Sequence, residues 1–577
     1  MLASTPIHQA ALQWAYAPFK EESGLERIVA YGDRSGKCPT YVNRTPPCSG
    51  ACPAGEDIRG YHNIIRGVWK APDPWEAAFR RLTRTNPFPA VMGRVCPAPC
   101  QGACNRQYRD ETIGINAVEH AIGEYAIEKG LTFTAPTTAS GKRVAVVGSG
   151  PGGLSCAYHL RLKGHAVTLF ERDPELGGMM RYGIMGYRVS RQALDAEIKR
   201  IIDLGVEVRT NTRLGQDISL PRLQADYDAV FLAVGAQKGR DIPIPGANGA
   251  GVTNAIEMLR TFELDPSRLQ VGKHVVVIGD GDVAMDIARL ALRLGSQTTL
   301  LSGVAREEMK CSHYEFEEAS SEGTQFEYCV GAVEVLRDAQ GQMTGVRCVR
   351  MARKAKGEEG WDHPVPFFRY RPEPGTEFEI AADMLVAAIG QTTDMTGLEQ
   401  ATGGNAFFQV DHAMQVKGMT NVFAGGDAVR IHLLTTAVGH GRKAAEAIDA
   451  LLNGQPIPLP QRADIVRYDK LKWDYFLPGD QKKRAFRHVK QVEGDWGETL
   501  MPLNREVAAA ESSRCMSCGM CFECNQCMLF CPQDAILRFK DSPEGEVMFT
   551  EYDRCVGCHI CAEVCPTGYI DMGMGLG

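Results

Sequence analysis

An α/β chain with flanking helical and ferredoxin-like α+β domains is predicted from three observations. Two strand–glycine turn–helix units lie in the middle of the 577 residues, short apolar strands ending at glycine follow them, and cysteines crowd the two ends. A chain this long exceeds what one hydrophobic core usually organises, so several domains are expected. Its 44% hydrophobic and 23% charged residues are those of an ordinary globular protein. The net charge of −7, with positive charges scattered, argues against nucleic-acid binding. No uninterrupted apolar run of about 20 residues occurs, and the opening "MLASTPIHQAALQWAYAPFK" lacks a basic segment followed by an apolar one, so the cytoplasm is the expected compartment.

The first unit, "RVAVVGSGPGGLSCAYHLRLKGHAVTLFERD", reads as a buried strand, a glycine turn, a helix and a second strand ending at Glu171. Gly148 makes the tight turn, Gly150 lets backbone amides approach a pyrophosphate at the helix N-terminus, and Gly153 lets helix and strand pack. Glu171 is placed to accept hydrogen bonds from a ribose. The second unit, "HVVVIGDGDVAMDIARLALRLGSQTTLLSG", repeats the pattern with Gly279, Gly281 and Ala284. Its second strand ends without a carboxylate for a ribose 2′-hydroxyl or an arginine pair for a 2′-phosphate, and Arg306 is the only nearby cation in sequence.

Three further strands, "YDAVFLAVGA", "ADMLVAAIGQ" and "TNVFAGGDAV", suggest one nucleotide domain interrupted by another. Asp427 can hydrogen-bond a cofactor polyol, and "TTAVGHGRKAAEAI" starts a helix whose N-terminal amides face a flavin ring in this reading. His313, alone on a polar helix, reads as a solvated surface residue.

Sixteen of the twenty cysteines fall in two groups, and in a reducing compartment such groups indicate metal ligation. Cys156, Cys311, Cys329 and Cys348 stand apart and read as small buried apolar residues. Near the C-terminus, "CVGCHICAEVCP" has the C-x2-C-x2-C-x3-C-P spacing of bacterial ferredoxins, and only Cys521, Cys524, Cys527 and Cys531 repeat it upstream. The fourth cysteine of each motif ligates the partner cluster. One [4Fe-4S] cluster therefore takes Cys521, Cys524, Cys527 and Cys565, and the other Cys555, Cys558, Cys561 and Cys531. Cys515 and Cys518 are left over, either as surface thiols or as an auxiliary metal or partner contact.

The order "GSGPGG", "FERD", "GGMMRYGI", "YDAVFLAVGA", "GDGDVAMD" and "TNVFAGGDAV" resembles the small-subunit family of glutamate synthase, over roughly residues 25–455. This family includes the N-terminal half of dihydropyrimidine dehydrogenase and the large subunit of the electron-bifurcating transhydrogenase. The resemblance implies an N-terminal helical iron-sulfur domain (1–136) and an FAD-binding Rossmann-like domain in two parts (137–250 and 385–455). An NAD(P)-binding Rossmann-like domain (251–384) is inserted between those parts, and a linker (456–510) leads to the two-cluster ferredoxin domain (511–577). It implies FAD contacts at Gly148, Gly150, Gly153, Glu171, Gly178, Met180, Arg181, Leu214, Ala233, Gly235, Gly426, Asp427, Thr436 and Ala437. The NAD(P) contacts it implies are Gly279, Gly281, Val283, Ala284, Arg306 and Gly390. Gly303 and Val304 stand where NADP-dependent members have two arginines, which favours NAD(H), while Arg306 leaves NADP(H) open.

Carried over in the same way, one N-terminal cluster is bound by Cys52, Cys96, Cys100 and the oxygen ligand Glu119. The other has Cys48 and Cys104, with only Cys38 upstream where relatives have a cysteine pair. A non-cysteine ligand or water, a three-iron cluster, or no cluster are the open alternatives there. Zinc fits less well, because paired short knuckles are absent.

The tail, with "CMSCGMCFECNQC" and "CPTGYIDMGMG", is similar to the branch of NAD(P)H oxidoreductases that partner dissimilatory sulfite reductase in sulfur oxidation. That similarity implies a homodimer transferring electrons between NAD(P)H and sulfite reductase, with NAD+ reduced. FAD would convert between the two-electron hydride and the one-electron clusters, so no catalytic side chain is assigned. Competing readings are a reductant-supplying subunit of glutamate synthase, of a 2-oxoacid oxidoreductase or of an aromatic-ring reductase, and a redox sensor or cluster scaffold without turnover.

Overall fold

The computed structural model describes residues 35–459, 462–487, 489–539 and 548–574, so the first 34 residues of the expected N-terminal domain lie outside the described residues. Two parallel sheets form the middle of the molecule. In the first, the order is Val422–Ala424, Ala229–Leu232, Arg143–Val147, Ala166–Phe170 and Glu207–Arg209. Its central strands are almost wholly apolar because both faces are covered. Val144, Val146 and Phe231 face one core, whereas Ala145, Val147 and Leu232 face another. The period-two alternation thus serves two cores at once.

The second sheet runs Gln325–Tyr328, Gln297–Ser302, His274–Ile278, Met384–Ala387 and Val252–Asn254, again all parallel. An antiparallel sheet of Val330–Arg337, Met343–Arg353, Tyr370–Pro372 and Phe378–Ala381 is interposed before Met384–Ala387. Sequence analysis did not anticipate it. The chain crosses between the two bodies at Lys238–Gly239 and Gln391–Thr392, which pair antiparallel. The boundaries expected at 250 and 385 move accordingly, because Ile242, Ile244 and Ala247 already pack in the core of the second body.

The N-terminal domain consists of short helices. Prolines open Pro47–Ala51, Pro74–Leu82, Pro89–Val95 and Pro99–Gly102, where the missing amide costs nothing. Cysteines sit at their ends: Cys52 and Cys96 each cap a helix C-terminus. The helix Ile115–Glu128 crosses Pro89–Val95 at backbone contact. A β-carbon on Gly93 would lie 2.4 Å from the His120 Cα, and one on Gly123 would lie 2.3 Å from the Ala90 nitrogen. That closeness brings Cys96 beside Glu119.

The C-terminal domain is stitched to the N-terminal one. Lys37–Tyr41 pairs antiparallel with Ile570–Met574, placing Cys38 opposite Gly573. The segment expected as a linker is irregular but firmly packed: the Arg484 guanidinium donates to Asn116 Oδ1 at 2.6 Å, and Gln481 Nε2 donates to the Thr112 carbonyl at 3.0 Å. Among the described residues, no helix is long and apolar enough to cross a membrane.

Candidate functional site

A cavity opens at the carboxyl ends of Arg143–Val147 and Ala229–Leu232, at the switch point of the first sheet where such folds bind ligands. Gly148 turns there with φ +98°, and a β-carbon on it would stand 2.3 Å from the Ala233 carbonyl oxygen. At Gly150, which caps the helix Pro151–Leu162, a β-carbon would meet no protein atom within 4 Å. It would project into the cavity, where the helix N-terminus favours a phosphate. The donor set fits a flavin dinucleotide.

Glu171 is buried at the far edge. Its Oε2 accepts from the Ser149 amide at 2.8 Å and the Ser149 hydroxyl at 2.6 Å, and its Oε1 from the Asp173 amide at 3.0 Å. Asp427 accepts from the His432 amide at 3.1 Å, and burial raises its carboxyl to about 6. The Gly426 amide donates to His440 Nδ1 at 3.2 Å, an acceptor role that suits an imidazole held neutral as burial lowers it to about 4.

Of the expected flavin residues, Gly148, Gly150, Glu171, Leu214, Ala233, Gly235, Gly426, Asp427 and Ala437 line this cavity. Gly153 and Gly178 stand behind the turn and let it close: their β-carbons would lie 1.8 Å from the Gly148 oxygen and 2.7 Å from the Gly150 Cα. Three other expected residues do not line the cavity. Met180 is buried in the core while its neighbour Met179 lines the cavity. Arg181 turns to the Leu176 carbonyl and the Asp195 carboxylate. The Thr436 hydroxyl pairs with His432 Nδ1 at 2.9 Å. Sequence analysis missed the polar rim of Arg172, Gln237, Arg213 and Asp394, in which Arg213 holds Asp394 at 2.5 Å. Gln237, Arg213 and Asp394 lie on connections that carry no recognisable pattern, and Arg172 sits inside "FERD", where Glu171 drew the reading.

In the second sheet, Gly279 follows His274–Ile278, and a β-carbon there would lie 2.6 Å from the Ala388 oxygen and 3.1 Å from the Ala284 Cβ. A β-carbon on Gly281, the cap of Asp282–Arg293, would again meet open space. Gly390 stands just beyond the neighbouring strand Met384–Ala387, where its oxygen accepts from the Arg240 amide at 3.1 Å. Val283 packs against the core behind the turn. Arg306 is stacked on Phe316, with its Cζ 3.3 Å from the ring centroid. Val304 is buried, and the Phe367 ring lies over Gly303. Neither position offers a cation for a 2′-phosphate.

Behind the flavin cavity, the helix Leu434–Leu452 forms a shared wall. Leu434 and Ala437 face the cavity, whereas the Thr435 hydroxyl lies 3.8 Å from Cys96 Sγ. Gly439 allows the contact, since a β-carbon there would strike the Pro53 oxygen at 2.1 Å.

Cys52, Cys96, Cys100 and Glu119 converge beyond this wall. Burial, then neighbouring carboxylates and thiols, push the three thiols up, Cys96 to about 12. Burial and the adjacent Glu56 also raise Glu119, and burial raises Glu56 to about 7. Asn86 Nδ2 donates to Glu56 Oε1 at 2.8 Å and to Glu119 Oε1 at 3.0 Å. Protonated ligands crowded in a dry site are what a metal cluster displaces protons from on binding, so this donor set fits a [4Fe-4S] group. Glu56 escaped sequence analysis because nothing in "CPAGEDIRG" marks a carboxylate as buried.

In the C-terminal domain, one cavity is lined by Cys521, Cys524, Cys527 and Cys565, and another by Cys531, Cys555, Cys558 and Cys561. These are the two cross-paired sets of the ferredoxin spacing. Cys38 needs correction: instead of joining Cys48 and Cys104, it stands beside Cys555, because the strand carrying it pairs with Ile570–Met574. Cys48 and Cys104 share a third cavity with Cys515 and Cys518.

Residues 142–441 match the family described as pyridine nucleotide-disulphide oxidoreductase, which spans more than half of the chain. Residues 18–131 match the 4Fe-4S cluster domain described as domain II of dihydropyrimidine dehydrogenase, and residues 520–569 a 4Fe-4S dicluster domain. Among similar proteins is the beta subunit of NADP(+)-dependent formate dehydrogenase of Moorella thermoacetica, 33% identical over 82% of this chain and 70% of that protein. The beta subunit of NADPH-Fe(3+) oxidoreductase of Geobacter sulfurreducens is 32% identical over 83% of this chain and 77% of its own length. The NADPH glutamate synthase small chain of Bacillus subtilis is 32% identical over 76% of this chain and 93% of its own.

Proposed function

The chain belongs to the glutamate synthase small-subunit-like family of pyridine nucleotide-disulphide oxidoreductases with 4Fe-4S domains, and from that premise we propose that it passes electrons between NAD(H) and a separate redox protein. It is an iron-sulfur flavoprotein oxidoreductase of the NAD(P)H-dependent kind. FAD supplies the exchange between a two-electron hydride and one-electron carriers. The protein's own contribution is placement: amides of the two glycine turns would hold the cofactor phosphates, Asp427 would orient the polyol, and Leu434–Leu452 separates the flavin cavity from Cys96 by one helix wall.

One observation carries the proposal. The flavin cavity, the Cys52/Cys96/Cys100/Glu119 site and the two C-terminal cysteine cavities lie on domains packed directly against one another. The far end supports a protein as the acceptor, since Leu529 and Phe530, beside Cys531, are 70% and 54% exposed. The absence of cations at Gly303 and Val304 supports NAD(H), although the similar proteins are named for NADP(H).

For the partner we propose dissimilatory sulfite reductase in sulfur oxidation, with the chain as a cytoplasmic homodimer. The support is the tail's "CMSCGMCFECNQC" and "CPTGYIDMGMG". The similar proteins are subunits of other oxidoreductases, which favours as a second reading a reductant-supplying subunit of another enzyme. Native co-purification separates the two. Recovery of a sirohaem sulfite reductase is expected; recovery of an amidotransferase or thiamine-dependent enzyme in its place would overturn the partner assignment.

A further inference from the structure

Cys48 lies in the N-terminal helix Pro47–Ala51 and Cys104 follows Pro99–Gly102, whereas Cys515 and Cys518 belong to the approach to the C-terminal domain. All four line one cavity of about 20 Å³. The molecule contains its own standards for that cavity. The sets with ferredoxin spacing line cavities of the same volume, about 20 Å³, each also with four cysteines. Among the described residues, no three Cys, His, Asp or Glu side chains close on a point that would hold a single metal ion. A lone zinc needs sulfurs drawn to about 2.3 Å from one centre, so four thiols around a space that matches the two ferredoxin-spaced sites suit a polynuclear cluster instead.

The walls carry a second, independent sign. Arg59 and His62 both line this cavity, and Arg59 Nε and His62 Nε2 are buried without a hydrogen-bond partner. Buried polar atoms are seldom left unpaired without a reason. The other polar atoms of these side chains are spoken for: Arg59 Nη1 donates to the Cys518 and Arg44 carbonyls at 2.8 and 2.7 Å, and His62 Nδ1 meets the Ser512 hydroxyl at 3.0 Å. Donors facing a cluster's sulfur atoms would satisfy both. The backbone carrying the two cysteines is also held in place, with Arg66 donating to the Cys515 carbonyl and, at 2.5 Å, to the Ser517 hydroxyl.

We propose that Cys515 and Cys518 complete, with Cys48 and Cys104, a fourth [4Fe-4S] site that bridges the N- and C-terminal domains. The pair supplied from the far end of the chain stands in for the upstream pair that this sequence lacks, and Cys38 is not a ligand. The inference rests on reading the chain as an iron-sulfur electron carrier. It also gives that reading continuity, because Cys48 and Cys52 are four residues apart, and Cys518 and Cys521 three, the latter spanning at most about 11 Å of chain.

The test is iron and acid-labile sulfide per chain in anaerobically purified full-length protein, with low-temperature EPR of the dithionite-reduced state. Wild type should hold about 16 iron atoms, four for each of four cubanes. The double variant Cys515→Ser/Cys518→Ser should lose about four of them and one EPR signal, while Cys38→Ser keeps the wild-type content. Should the double variant prove insoluble, Cys518→Asp retains an anionic ligand and is expected to shift the g-values of one cluster. Unchanged iron and EPR in the double variant, unchanged g-values in Cys518→Asp, or loss of a cluster in Cys38→Ser would each overturn the assignment. Bleaching of the flavin by NADH is measured separately, so failure of the electron-carrier reading is distinguishable from failure of this ligand set.

Discussion

Asp427 is a carboxyl whose burial makes its proton hard to lose, raising it from the usual carboxylate range to about 6. As pH rises through 6 it ionises and becomes a full acceptor for a polyol hydroxyl; as pH falls it loses that capacity. FAD release, followed by fluorescence, should therefore grow below about pH 6, with the dissociation constant rising up to tenfold per pH unit. Asp427→Asn should bind more weakly at pH 8 and show a flatter profile; an identical slope in both proteins would remove Asp427 from the site. Residue roles of this kind were legible wherever backbone geometry demands a residue type, as at Gly148 and Gly150. They were illegible where a helix phase decides: Met179 faces the flavin cavity and Met180 the core, and the string "GGMMRYGI" does not distinguish them.

The helix Asp282–Arg293 shows how an element is fixed in ways a glycine motif does not disclose. Its Arg289 and Arg293 are fully buried, and both guanidinium groups fork onto Glu322: Arg289 at 2.9 and 3.0 Å, Arg293 at 2.5 and 2.7 Å. Both also lie against the Tyr187 ring, Arg293 at 3.9 Å from its centroid. Glu322→Ala would strand two buried cations, for which a loss of about 3–5 kcal/mol is expected. Calorimetry should show the transition of the second nucleotide body lowered well below wild type; an unchanged profile would mean that Glu315 and Glu318, 3.3 and 2.5 Å from Arg289, suffice to hold the helix. At this scale the parallel strands announced themselves as apolar runs ending in glycine. The antiparallel strands Val330–Arg337 and Met343–Arg353 did not, because they mix polar and apolar residues without a strict period and end without that punctuation.

Over the whole molecule, sequence spacing disclosed the composition of two cysteine sets and the family resemblance implied a third, but neither disclosed the way domains share a fourth cavity. Ligands contributed from Cys48 and from Cys515 have no local spacing relation, so only the packed molecule brings them together. The packing itself is extensive. Arg59 grips the Cys518 carbonyl at 2.8 Å, Arg44 grips that of Gly568 at 2.8 Å, and the Tyr41 hydroxyl meets that of Thr550 at 2.8 Å. A domain held this way has no docking motion to make, so stopped-flow reduction of the C-terminal clusters by NADH should be independent of solvent viscosity. Slowing in proportion to added sucrose would show instead that the domain swings on its linker.

The strand Lys37–Tyr41 has a consequence for how the protein is made. Its hydrogen-bonded partner is synthesised long after it, with Thr40 and Asp571 separated by 531 residues. At ~5–20 residues per second, the ribosome needs roughly half a minute to two minutes to produce the second strand. Through that interval Cys48 and Cys104 stand in a half-built cavity with no counterpart, open to oxygen and to stray metals. On the proposed ligand set, iron can complete this site only after the residues Cys515 and Cys518 have been made.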